Sequence, residues 1–237
     1  MPSRQFFQIT TVLIFSIFRS TNAHSFILAI EGSNGQRSTG FGTRLTSRGT
    51  LVQNTGIIHT GDMASGQVGP CGRIFGGDGL PASAVDVQKE MAIAEADGIS
   101  AAGEDGSVPM SMFAHNADGG GPYECGYSSD MSLKVFKPMN ISLQIEGEGG
   151  KNPEAKEFAY PLTSVFPPDA ECSGGTGQDT CIMRCKNPLG FGSCAAVKLF
   201  SKTGRATAPS PSNAMTPEIQ KRSNRRSLTF AQDTLRL

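Results

Sequence analysis

Hydrophobic and polar positions alternate most clearly over residues 108–114. Val108, Met110, Met112 and Ala114 fall on one side and Ser111, Phe113 and His115 on the other, the period of two that a half-buried strand requires. The pattern breaks at Asn116-Ala117-Asp118-Gly119-Gly120-Gly121-Pro122, where three glycines permit positive φ and close backbone approach before a stiff proline. Tyr123-Glu124-Cys125 then restarts an extended segment. Shorter apolar runs at 24–30, 51–59, 132–136, 141–145, 158–166 and 195–200 read as further strands, separated by turn clusters. A single helix is expected over 83–96. Ser83 is placed to cap it with Asp86 three residues on, Gly98 to stop it, and Val87, Met91 and Ala94 to lay an apolar stripe on a sheet. The spacing predicts a mainly β fold, an immunoglobulin-like β-sandwich with one inserted helix.

The ends of the chain change the picture. Arg4, the apolar stretch 6–18 and Thr21-Asn22-Ala23 have the form of a secretory signal over 1–23, and that apolar stretch is too short to span a membrane. Residues 24–201 form the folded domain. Residues 202–237 are rich in Thr, Pro, Ser and basic residues and read as a disordered tail. Its Lys221-Arg222 and Arg225-Arg226 pairs are candidate processing sites for a kexin-type protease, at Arg222 or Arg226.

The chain has zero formal net charge, but by cancellation. Residues 24–201 carry 12 Lys/Arg against 19 Asp/Glu, and 202–237 carry 7 against 2. A body of net −7 does not attract nucleic acid. Six cysteines, Cys71, Cys125, Cys172, Cys181, Cys185 and Cys194, an even number in an exported chain, point to three disulfides of open connectivity. Zinc at Cys181-x3-Cys185 is the rival reading, at a spacing loose for that metal. Asn140-Ile141-Ser142 is a glycosylation sequon and marks a surface position.

Asn116 to Cys125, NADGGGPYEC, resembles the signature of the Egh-type virulence factors, the appressorium-specific secreted proteins of powdery mildew and rice blast fungi. Three further segments agree with it: His24-Ser25-Phe26-Ile27-Leu28 after the signal, Cys71-Gly72-Arg73, and Cys172 followed by Cys181-Ile-Met-Arg184-Cys185-Lys-Asn187 and Gly192-Ser-Cys194-Ala-Ala-Val197. The resemblance covers about residues 24–200. It implies a monomeric fungal protein deployed at host penetration, acting on or binding a cuticle or cell-wall polymer or a host surface protein. Within the motif loop it marks Asn116, Asp118, Gly119, Gly121, Pro122 and Tyr123.

Candidate chemistry centres on histidine. If the signal is cut after Ala23, His24 becomes the N-terminus, and its α-amine and ring chelate one metal ion. A second imidazole completes a three-nitrogen site suited to copper, the histidine brace of lytic polysaccharide monooxygenases. His59 and His115 are the other two histidines. His115 is the candidate ligand, and His59 reads as an exposed loop residue. The resemblance implies a histidine where this chain has Phe113, so His115 lies on the same strand face but about 7 Å further along. Calcium at Asp118 or Asp78 lacks an EF-hand pattern. There is no G-x-S-x-G elbow, and residues 147–151 lack the spacing of a phosphate loop. Trp is absent, which leaves Tyr123, Tyr127 and Tyr160 as the tyrosine stacking surfaces for sugars.

Overall fold

The structure, a computed structural model, describes residues 25–43, 55–66, 68–75, 82–155 and 157–200. The signal segment with His24, Asp78 and the basic tail with Arg222 and Arg226 lie outside the described residues. The chain is mainly β. Its strands are β1 (Ser25–Glu31), β2 (Arg37–Ser38), β3 (Thr55–Ile57), β4 (Arg73–Phe75), β5 (Ala82–Ala84), β6 (Ser107–Ala114), β7 (Glu124–Ser128), β8 (Lys137–Leu143), β9 (Phe158–Val165), β10 (Thr180–Lys186) and β11 (Gly192–Lys198). Among the described residues two α-helices interrupt them, a single turn α1 (Thr60–Ala64) and the longer α2 (Val87–Asp97), with a short 3-10 turn at Ala117–Gly119.

All pairings between strands are antiparallel, in the order β11-β10-β7-β8-β9-β6-β1-β3-β4-β5, with β2 added to β1. The β11 end of this sheet curls back toward β1 and β3. Ile27 N–H donates to Ser193 Oγ at 2.9 Å, Phe41 N–H to the Cys194 carbonyl at 2.8 Å, and Ile58 N–H to the Gly190 carbonyl at 2.7 Å. Gly56 meets the Gly192 carbonyl so closely that a Cβ there would collide with it. The result is one continuous, nearly closed sheet. Its connectivity does not by itself establish the immunoglobulin-like sandwich expected from strand spacing.

Two apolar clusters hold the sheet. Inside the curl pack Ile27, Ile30, Met110, Met112, Leu162, Met183 and Val197. Outside it, Met91 of α2 packs with Phe41, Ile99, Leu133, Ile182 and Ala196, and Val87 and Ala94 lie against the same cluster, so the expected stripe does pack on a sheet. Adjacent residues of β10 and β11 therefore serve different clusters. Cys181 and Met183 point inward and Ile182 points toward α2; Ala195 and Val197 point inward and Ala196 points toward α2. Burial on both faces removes the alternation that reveals a strand. That is why β10 left no periodic signal and β11 was expected only from residue 195.

The short helix α1 was not foreseen by the single helix expected from sequence, and two further places differ from expectation. Ser83 belongs to β5 and does not cap α2. Asp86 does, its side chain accepting from Lys89 N–H, and Gly98 ends the helix at φ +101°. Residues 132–136 form a turn with Leu133 at φ +54°, and the strand starts at Lys137.

The six cysteines form three disulfides, Cys71–Cys194, Cys125–Cys185 and Cys172–Cys181, which leaves no thiolate for zinc at Cys181 or Cys185. Cys125 and Cys185 sit directly opposite each other on β7 and β10. The Cys71–Cys194 bridge closes a separation of 123 residues, against 9 for Cys172–Cys181. In the chain-entropy picture these closures are worth about 5 and about 3 kcal/mol, so the first restrains the unfolded chain most.

Candidate functional site

The 116–125 loop follows β6 and leads into β7. Its first turn is local: Asn116 Oδ1 accepts from Asp118 N–H at 3.1 Å, the side-chain turn that asparagine favours. The remaining supports come from afar. Asn187, 1% exposed, donates through Nδ2 to the carbonyls of Asp118 (2.7 Å), Gly120 (3.0 Å) and Gly150 (3.2 Å). Its Oδ1 accepts from Leu189 N–H and Phe191 N–H at 3.1 and 3.0 Å. One amide thus joins three loops whose backbone groups have no strand to pair with.

Tyr123 anchors the other end. Ser25 Oγ donates to its hydroxyl at 2.5 Å, and the hydroxyl donates to the Gly119 carbonyl at 3.0 Å. Burial raises the pKa of this phenol, against the opposing effect of the Ser25 bond. Gln144 clamps its backbone, accepting from Tyr123 N–H at 2.9 Å and donating to Tyr123 O at 3.0 Å. The glycines serve close approach. Gly119, Gly120 and Gly121 are not among the positive-φ glycines, contrary to the freedom anticipated for them. A Cβ on Gly120 would collide with the Lys151–Asn152 backbone, and one on Gly121 with the Ile145 carbonyl. Pro122 follows Gly121 through a cis peptide bond.

His115 lies one residue beyond β6. Its ring meets Phe113 edge-on at 4.8 Å and Phe26 at 6.0 Å, and its Nε2 is buried. Phe113 is itself buried. His59 is exposed at the start of α1 and makes no side-chain cap. Among the described residues no three His, Cys, Asp or Glu side chains gather where a metal could sit, so Asp118 and His115 alone do not form a site. Asn140 is exposed on β8, across from Val165. Tyr123 and Tyr127 are buried and present no sugar-stacking face. Tyr160 packs edge-on, at 5.0 Å, against Phe158, which is 58% exposed.

The structural roles of Asn187 and Gln144 were not legible in the sequence. Asn187 ended a cysteine pattern, and Gln144 sat in the apolar run 141–145; Asn187 Oδ1 has local partners, but the carbonyls its Nδ2 meets lie 37 to 69 residues away and Tyr123 lies 21 residues from Gln144, so sequence carries no signal for either clamp.

Replacing Asn187 with Ala strips buried polar groups of their partners, each loss costing about 1–3 kcal/mol. Chemical denaturation of Asn187→Ala is expected to show a loss of at least about 3 kcal/mol. Tyr123, with its folded-state pKa raised, contributes stability that is complete below the pKa of the unfolded phenol and is lost as pH rises above about 10. Tyr123→Phe is expected to flatten the fall in stability between about pH 9 and 11, read from urea midpoints across that range.

No helix among the described residues is long and apolar enough to cross a membrane. No solved structure matches the chain. The appressoria-specific virulence factor GAS1 of Pyricularia oryzae is 25% identical over 118 residues, 49% of this chain and 47% of that protein, so the chain spans about half the length of this curated relative. The family model for the Egh16-like virulence factor matches residues 22–192, which include the 116–125 loop, Asn187 and all the cysteines but Cys194. The chain belongs to the Egh16-like virulence factor family.

Proposed function

We propose that the protein is an exported virulence-associated factor that acts at the host surface or cell wall during penetration by binding a cuticle or wall polymer or a surface protein. The observation that carries this reading is the use made of the motif residues. Asn116, Tyr123 and Asn187 are committed to holding backbone, and the glycines to close packing, so these motif residues serve to shape a rim. Three disulfides suit an extracellular setting. Exposed Asn140 suits glycosylation on export. The test is retention of the purified protein on isolated host cell walls and cuticle. Depletion from the supernatant is expected, and complete recovery in it overturns the reading.

One observation favours copper as a second reading. In the β1–β6 ladder Ser25 faces Ala114 and Phe26 faces Phe113. His115 follows the last paired residue of β6 at this end of the ladder, with its Nε2 buried. His24, through its amine and ring, and His115 would then hold the ion, which supplies one-electron redox chemistry when bound. Phe113 and Phe26 would back the His115 ring and limit water behind it. Copper(II) titrated by calorimetry and EPR into protein beginning at His24 is expected to bind one-to-one and to lose that binding in His115→Ala. Binding indifferent to His115, or none, removes this reading.

A further inference from the structure

The outer face of β10, β7 and β8 carries a groove of about 250 Å³. Its floor is Gly126, which stands between Arg184 on β10 and Pro138 on β8. Phe136 walls one side, and the Arg184 guanidinium lies over its ring at 4.0 Å from the centroid. Lys186, two residues along the same strand face, pairs with Glu124 at 2.8 Å.

The charges in this groove do not balance. Glu124 pairs with Lys186 and its charge also reaches Arg184, but among the described residues no carboxylate lies within ion-pair distance of Arg184, so two cations share one carboxylate. Among the described residues its N–H groups reach the Pro70 carbonyl at 3.3 Å and the Met63 sulfur at 4.0 Å, out of five donors on a guanidinium. This half-buried cation sits on a domain whose net charge is −7 between residues 24 and 201, so the groove stands out as a local excess of positive charge.

We propose that this groove binds the carboxylate of an acidic sugar, a uronate unit of a wall polysaccharide. The proposal rests on the surface-binding reading above and specifies its ligand class. Arg184 takes the carboxylate in a forked, charge-assisted pair, and the free protons of the Lys186 ammonium reach the same anion. The Phe136 edge and Pro138 pack the apolar face of the ring. The groove lies just under the usual range of small-molecule pockets, about 300–1,000 Å³, which leaves room for about one sugar ring. Both edges of β7 are paired, so an acidic peptide cannot add here as a strand. Recognition must run through side chains, as suits a ring bearing one charge.

The test is calorimetric titration of tri-galacturonate into the full secreted protein, with a neutral cello-oligosaccharide and a tri-glutamate peptide as comparisons. Binding of the uronate alone is expected, weakening as salt rises from about 50 to 500 mM. Arg184→Gln should lose about tenfold or more in affinity. Because Arg184 also steadies Phe136 and the Pro70 segment, a second variant guards against simple misfolding. Glu124→Gln removes an exposed competing carboxylate and should tighten binding several-fold, which a purely structural arginine would not produce. Equal or tighter binding of the peptide overturns the proposal, as does uronate binding unchanged in both variants or absent altogether. Wall retention that persists in Arg184→Gln and is not competed by polygalacturonate sinks the groove but keeps the surface-binding reading. Failure of wall retention with intact tri-galacturonate binding sinks the broader reading and keeps the groove.

Discussion

A single buried amide does what no strand can do for the loops at one end of this protein. Residues 116–122, 146–152 and 187–191 all leave the sheet; they exchange some backbone bonds, such as Gly121 N–H to the Glu146 carbonyl and Asn152 N–H to the Ala117 carbonyl, but the carbonyls of Asp118, Gly120 and Gly150 still need a side-chain donor. Asn187 meets three of the carbonyls and two of the N–H groups at once. Glycine backbones let the loops approach closely enough for one side chain to reach them all. An Asp in the same place would offer no donors and a Gln would carry its amide one methylene too far, so the residue type follows from the geometry.

The second organising feature is the cover that α2 gives to β10 and β11. Met91 seals the outer face of strands whose inner face already lines the curl. Glu90 and Glu95 tie the helix down by accepting from Gly42 N–H and Thr176 N–H at 2.7 and 2.6 Å. The Cys71–Cys194 bridge lies in this same outer cluster. Where α2 ends, β10 turns its outward residues to solvent. Arg184 and Lys186 continue the face begun by Ile182, so the transition from core to groove takes place along one strand within two residues.

Membership of the Egh16-like family accounts for the motif loop but leaves its purpose to physical argument. Most of the motif is taken up in holding backbone, and the ligand sites proposed above lie on surfaces beside it. His115 at the end of β6 and the Arg184 groove on β10 are two such surfaces. The readings proposed for them call for different chemistry, a coordinated ion in one case and a paired carboxylate in the other. The acidic character of the rest of the domain makes the groove electrostatically distinct.

Local chemistry was readable from the residues alone. Alternation over 108–114 located β6, the apolar stripe of Val87, Met91 and Ala94 located α2, Gly98 marked its end, and an even cysteine count pointed to three disulfides. Each of these depends on neighbours in sequence or on composition. Capping by Asp86 in place of Ser83 depended on β5 claiming residues 82–84 for pairing with β4, which no local rule foresees. The pairing of cysteines, the near closure of the sheet through Ser193 and Gly56, the reach of Asn187 to three carbonyls and the setting of Arg184 were decided only by tertiary structure. In these cases most of the partners are distant in the chain, and a hydrogen bond or charge acquires its meaning from what folding places opposite it.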